Sequence, residues 1–194
     1  MKQVIEIGSG FTPHALNLED IRYIEIDFPH IIKTKREIIS SIDPHRDVIY
    51  IGGNIFSDEA WESIYTSILN QPTAVFFEGF MQYTNNNQRK FLFDKIRPII
   101  QDGGFCFFED SLTFNPHFSQ IPTLRNLTER MKSISKKTQL TSYISQKELH
   151  SELKSYGLRV TRKKPFNRCK CTSYDSLGKL VLSHFRHWVL EVEK

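Results

Sequence analysis

A strand that runs into a glycine turn, followed about twenty residues later by a strand ending in a carboxylate, constrains this chain most. Gln3 to Ile7 (QVIEI) is apolar and β-branched and leads directly into Gly8-Ser9-Gly10. Arg22 to Ile26 (RYIEI) is the next such run, and it stops at Asp27. At the mouth of a parallel sheet, a glycine turn of this kind exposes backbone N–H groups to a ligand. A carboxylate at the tip of the neighbouring strand can accept hydrogen bonds from two ribose hydroxyls. The two features together predict a site for a nucleoside cofactor.

The rest of the chain alternates between strand and helix periods. Pro29 to Ser41 carries Ile31, Ile32, Lys35, Ile38 and Ile39 on helical spacing, and Asp47 to Ile51 (DVIYI) reads as a third strand. Ser57 to Leu69 is a helix with Ser57 as N-cap and Asp58 and Glu59 in its first turn. Thr73 to Phe77 is a fourth strand, Asn87 to Ile100 an amphipathic helix, and Phe105 to Glu109 a fifth strand. Helices are expected at Ile121 to Lys137 and at Ser145 to Tyr156, the latter capped by Ser145 with Glu148 three residues on. Strands are expected at Leu158 to Arg162 and His187 to Glu193, while Pro165 to Gly178 matches no template. This order predicts an α/β fold, with a mostly parallel sheet, helices on both faces and right-handed crossovers. No repeat or linker divides the 194 residues, so one domain spanning 1–194 is expected.

Composition excludes several classes. No apolar run reaches the roughly 18 residues needed to span a bilayer. Met1 and Lys2 lead straight into a strand rather than a signal peptide. Three cysteines form no disulfide framework, which together with the missing leader predicts a reducing cytoplasm. Cys169 and Cys171 make one close pair without a second pair, which is poor zinc spacing, so no metal is expected. Charge is uneven: 11 basic and 17 acidic residues up to Glu129, then 15 basic and 5 acidic from Arg130 onward. A basic C-terminal third reads first as a solvated face, and second as a surface for an anionic partner such as nucleic acid.

Parallel strands point the same way, so Gly8, Asp27, Asn54 and Glu78 should crowd one edge of the sheet. Glu6, two residues before the first glycine, can fix the glycine loop or face a cationic part of the ligand. The turn is neither GxGxxG, because Pro13 stands three after Gly10, nor the lysine-containing loop of nucleotide triphosphatases. Phe11, Phe80, Phe114 and Phe118 fall in loops over the sheet edge and could wall an apolar acceptor pocket.

On these residues the chain resembles class I S-adenosylmethionine-dependent methyltransferases. More narrowly it resembles the leucine carboxyl methyltransferase-like family with its polyketide O-methyltransferase group. The matching segments are VIEIGSGFTPHAL, YIEIDFPHIIKTKREII, GGNIFSDEAW and PTAVFFEGFMQY, within about the first 110 residues. E-x-D-x-P at Glu25, Asp27 and Pro29 and E-G-x-x-x-Y at Glu78, Gly79 and Tyr83 carry most of the likeness. The resemblance implies a Rossmann-like methyltransferase fold with a seven-stranded sheet, and S-adenosyl-L-methionine as cofactor. It implies Gly8 and Gly10 along the methionine part, Asp27 on the ribose, Asn54 and Ile55 beside the adenine, and Glu78 next to the amino-acid moiety. Thr12 and His14 stand where the family typically has aspartate and arginine. The family's helical N-terminal cover is expected to be absent; either another part of the chain replaces it, a second subunit in a homo-oligomer does, or cofactor binding is weak.

The implied reaction is methyl transfer to a carboxylate or hydroxyl on a small molecule or peptide, with no membrane involved. Such a displacement depends on holding the acceptor oxygen and the methyl group in line. A hydroxyl acceptor benefits from a base, for which His14 is the candidate, and Tyr83 is the candidate for positioning substrate. Two other readings stay open: an RNA methyltransferase, and a non-catalytic regulatory protein on the same fold.

Overall fold

A computed structural model of the chain describes residues 2–111, 122–135, 146–165 and 185–192. Its strands are β1 (Gln3–Ile7), β2 (Arg22–Asp27), β3 (Val48–Gly52), β4 (Thr73–Phe77), β5 (Phe105–Ser111), β6 (Leu158–Pro165) and β7 (Phe185–Val192). Its helices are α1 (Pro29–Ile42), α2 (Asp58–Ser67), α3 (Asn86–Ile100), α4 (Pro122–Ser135) and α5 (Gln146–Ser155). The strands form one seven-stranded sheet in the order β3-β2-β1-β4-β5-β7-β6. β1 to β5 run parallel, and β7 inserts antiparallel between β5 and β6. This is the mostly parallel α/β sheet that the strand–helix alternation predicts.

Local signals explain most element ends. Pro29 opens α1 at a position where its missing N–H costs nothing. The Ser57 side chain accepts from the Ala60 N–H to cap α2, as expected. α2 ends at Ser67, two residues short of the predicted Leu69, because Ile68 turns extended. α3 starts one residue early, since Asn85 and Gln88 form a reciprocal capping box. β5 and β6 run past their predicted ends because β7 pairs with them as far as Ser111 and Pro165. The predicted cap Ser145, the segment after Pro165 and the Cys169–Cys171 pair lie outside the described residues.

The core divides by strand parity. On one face Ile5, Ile7, Ile24, Ile26, Val75, Phe77 and Phe108 pack against Trp61, Ile64, Leu92, Phe93, Leu149 and Leu153 of α2, α3 and α5. On the other face Val4, Tyr23 and Ala74 form a smaller cluster with Ala15, and Lys35 of α1 reaches Glu25 on β2. Chain direction across the sheet reverses between β1 and β4, so the crevice above their carboxyl ends is the topological switch point. No helix among the described residues is long and apolar enough to cross a membrane.

Gly104 sets the approach of α3 to β4. A Cβ there would lie 2.5 Å from the Thr73 carbonyl oxygen and 2.9 Å from the Ile100 Cα, both backbone atoms that cannot swing aside. Gly104→Ala is therefore expected to cost about 3 kcal/mol, the upper range of overpacking. Urea unfolding would show it, and a loss below about 0.5 kcal/mol would contradict this packing.

Candidate functional site

The glycine turn is built against the end of β2. Gly8 and Gly10 take positive φ angles of 65° and 47°, which bend the chain sharply after β1. The Gly8 and Ser9 N–H groups donate to the Ile26 carbonyl, at 2.8 and 3.3 Å. The Gly10 N–H donates to Oδ2 of Asp27 at 2.8 Å. This corrects the expectation that the turn offers these N–H groups to a ligand: all three are spent inside the protein. At Gly10 the turn presents bare backbone, with nothing within 4 Å of a Cβ placed there, while the Phe80 ring lies against Gly8.

Asp27 joins the two halves of the site. Its Oδ2 holds Gly10, its Oδ1 accepts the Phe28 N–H at 2.7 Å, and its backbone carbonyl accepts the Gly53 N–H at 2.9 Å. An ionised carboxylate has about four acceptor sites, so two remain for ligand hydroxyls. Asn54 is exposed, and its Oδ1 turns back to accept the Phe56 N–H. Ile55 is buried, and its carbonyl is fixed by the Trp61 indole N–H at 2.8 Å. Gly8, Asp27, Phe28, Asn54, Ile55 and Phe80 line one cleft of about 50 Å³ at this edge.

Beneath the turn lies a polar network of which the sequence had suggested only parts. Glu6 is buried, and its Oε1 accepts from the Thr12 hydroxyl at 2.8 Å and contacts His14 Nδ1 at 3.0 Å. Its Oε2 accepts the Tyr23 hydroxyl at 2.9 Å. Burial first, then Glu6, pushes the Tyr23 phenol above its ordinary range, so it stays a donor. Glu6 therefore fixes the loop from below and is not part of the cleft lining. Lys35, 1% exposed, pairs with Glu25 at 2.7 Å and also donates to the Ser9 carbonyl at 3.2 Å. Burial raises the proton affinity of Glu25, while Lys35 and Ser9 act to lower it. The signals were present in the sequence: a glutamate within each of two apolar strands and a lysine in the apolar stripe of α1.

Other predicted residues fall elsewhere. Glu78 is exposed and lines a different hollow of about 340 Å³, with His14, Asn17, Leu18, Phe76 and Phe107 around it. This trough lies on the α1 face of the sheet and is almost wholly apolar apart from its rim. The His14 ring meets Phe76 edge-on at 5.5 Å. Tyr83 sits half-buried on a 3-10 turn after Phe80 and lines neither the cleft nor the trough. Phe11 is 57% exposed beside the glycine turn, and Phe114 and Phe118 lie outside the described residues. A larger hollow of about 410 Å³, lined by Leu69, Pro72, Pro98 and Asp102, lies at the amino end of β4, remote from the strand tips. Asp27 with the glycine turn is thus the centre of the candidate site, and the larger hollow lies apart from it.

Solved structures of known proteins share this fold. The chain aligns with mitomycin 7-O-methyltransferase MmcR at a TM-score of 0.67 and 12% identity, covering 98% of this chain and 48% of that one. An O-methyltransferase family protein from Burkholderia thailandensis aligns at 0.66 and 13% identity, covering 100% and 51%. PigF, solved with SAH, aligns at 0.63 and 13%, covering 100% and 50%. The chain thus spans about half the length of these structures, and at such identity the likeness is one of fold. No curated protein sequence matches it significantly. The family model for leucine carboxyl methyltransferase matches residues 1–97, which contain the glycine turn, Asp27, Asn54, Glu78 and Tyr83. The chain belongs to the leucine carboxyl methyltransferase family.

Proposed function

We propose that this chain binds S-adenosylmethionine at the β1–β2–β3 edge and acts as an O-methyltransferase on a small-molecule or peptide acceptor. The observation that carries the reading is the bond from the Gly10 N–H to Asp27 Oδ2, which sets a partly used carboxylate beside bare glycine backbone. The donor set fits the cofactor. Asp27 has two acceptor sites left for ribose hydroxyls, Gly10 keeps the adjoining wall free of side chains, and Ile55 with Phe28 offers apolar surface to a base. When bound, the cofactor supplies an electrophilic methyl group on a sulfonium.

The chain's own residues then hold the acceptor and its proton. His14 is oriented through Nδ1 by the buried Glu6 carboxylate, which favours the tautomer with the proton on that nitrogen. The other ring nitrogen is left as an acceptor at the rim of the apolar trough, where it can take a proton from a hydroxyl substrate. A carboxylate substrate needs no such base. Supplying S-adenosylmethionine with a panel of aryl hydroxyls, aliphatic carboxylates and leucine-terminated peptides, and measuring SAH release, tests the reading. Turnover of a hydroxyl acceptor is expected to fall about a hundredfold in His14→Gln while SAH affinity is unchanged. Equal turnover in the variant would remove His14 as the base, and no release with any acceptor would contradict the enzymatic reading.

A further inference from the structure

The cleft has the right groups but too little room. A site for a cofactor or drug-sized ligand measures about 300–1,000 Å³, and the cleft bounded by Gly8, Asp27, Asn54 and Phe80 holds about 50 Å³. One side chain stands in the way at the switch point. Phe80 follows β4, Gly8 follows β1, and the Phe80 ring crosses the crevice between them. Its Cδ2 lies only 2.8 Å from where a Cβ on Gly8 would be. The ring is seated rather than loose. It stacks on Phe56 with centroids 5.9 Å apart and meets Phe77 edge-on at 5.8 Å.

The backbone next to Phe80 is held independently of the ring. Gly79 holds a φ of 60°, a conformation that other residues rarely adopt. Its N–H donates to Glu109 Oε2 at 3.3 Å, and its carbonyl accepts from Gln82 Nε2 at 2.8 Å. The glycine is thus anchored from both sides while the residue after it carries the ring. Neither anchor uses Phe80's side chain, so the ring can leave without breaking them.

We infer that Phe80 is the affinity-determining residue of this site: its ring occupies the space of the cofactor and must swing off Phe56 before the cofactor can enter. The inference rests on the cofactor reading above and adds that the ring must move for that site to fill. Binding then carries the cost of parting two aromatic contacts, and removing the ring removes that cost.

The test is calorimetric titration of SAH into wild-type protein, Phe80→Ala and Phe80→Leu, with thermal melts to show that each variant is folded. Phe80→Ala is expected to bind about tenfold more tightly, since each aromatic pair broken in the wild type contributes to that factor. Phe80→Leu retains an apolar side chain to support folding, and should shift affinity in the same direction by less. Binding by a folded variant with none by the wild type would support the inference in its strongest form. Equal or weaker binding by both variants, with the wild type binding, would overturn it and make Phe80 a wall of the site. No binding by any of the three would overturn both this inference and the cofactor reading.

Discussion

Asp27→Ala is expected to weaken SAH binding at least a hundredfold. Two hydrogen bonds from ribose hydroxyls to an ionised carboxylate are worth about 1.5–3 kcal/mol each, and every 1.4 kcal/mol is about a factor of ten. The same carboxylate holds the Gly10 and Phe28 N–H groups, so the variant also loses the bonds that shape the turn. Those N–H groups sit at a half-exposed edge where water can replace the lost acceptor, so stability should fall by only about 1 kcal/mol. The split is the diagnostic: a large loss of affinity with a small loss of stability marks Asp27 as a ligand-binding group. An affinity unchanged within a factor of three would contradict the ribose assignment.

The second large effect lies in the layer below. Replacing Lys35 by methionine leaves Glu25 buried with no cation beside it, and breaking a buried pair in this way costs about 3–5 kcal/mol. For a chain of this length that is a drop of roughly 10 °C in melting temperature. It should also weaken SAH binding, because the ammonium that holds the Ser9 carbonyl is gone. The pH dependence has a definite sign. In the variant, Glu25 binds its proton more tightly folded than unfolded, so its contribution is present below the unfolded pKa of about 4.3 and fades as pH rises. The deficit against wild type therefore widens from about pH 4 to neutrality. Adding Glu25→Leu should recover most of the lost stability, since an apolar pair can replace a buried ion pair. A Lys35→Met variant that melts with the wild type would show that the pair is not a buried charge pair.

The frame was legible because periodicity reports burial. β1 and β4 match their predicted residues, since each is a short apolar run bounded by turn residues and buried between neighbours on both sides. Ends governed by pairing across the sheet were not legible: Ser111 belongs to β5 because Phe185 lies opposite it, and nothing near Ser111 announces that. The site shows the same division. Asp27 could be placed at a strand tip from its position alone, and the structure puts it against the glycine turn. Glu6 also stands at a strand end, but side-chain parity turns it to the α1 face, where Tyr23, Thr12 and His14 consume its oxygens. The N–H groups of the turn were expected to face outward, but the folded chain gives them to Ile26 and Asp27, a pairing across β1 and β2 that no local signal announces. Phe80 could be placed near the sheet edge from the sequence, but not in the crevice, because that depends on how the Gly79 turn folds back over β1.

The central claim is that the cofactor is held at the β1–β2–β3 edge, and backbone amide NMR tests it most directly on a 22.8 kDa chain. Titration with SAH is expected to shift the amide resonances of Gly8, Gly10, Phe28 and Asn54 together, with saturation, and to spare those of Ala74 and Phe105 in the trough. Shifts confined to the trough residues, or no shifts at millimolar SAH, would contradict the account.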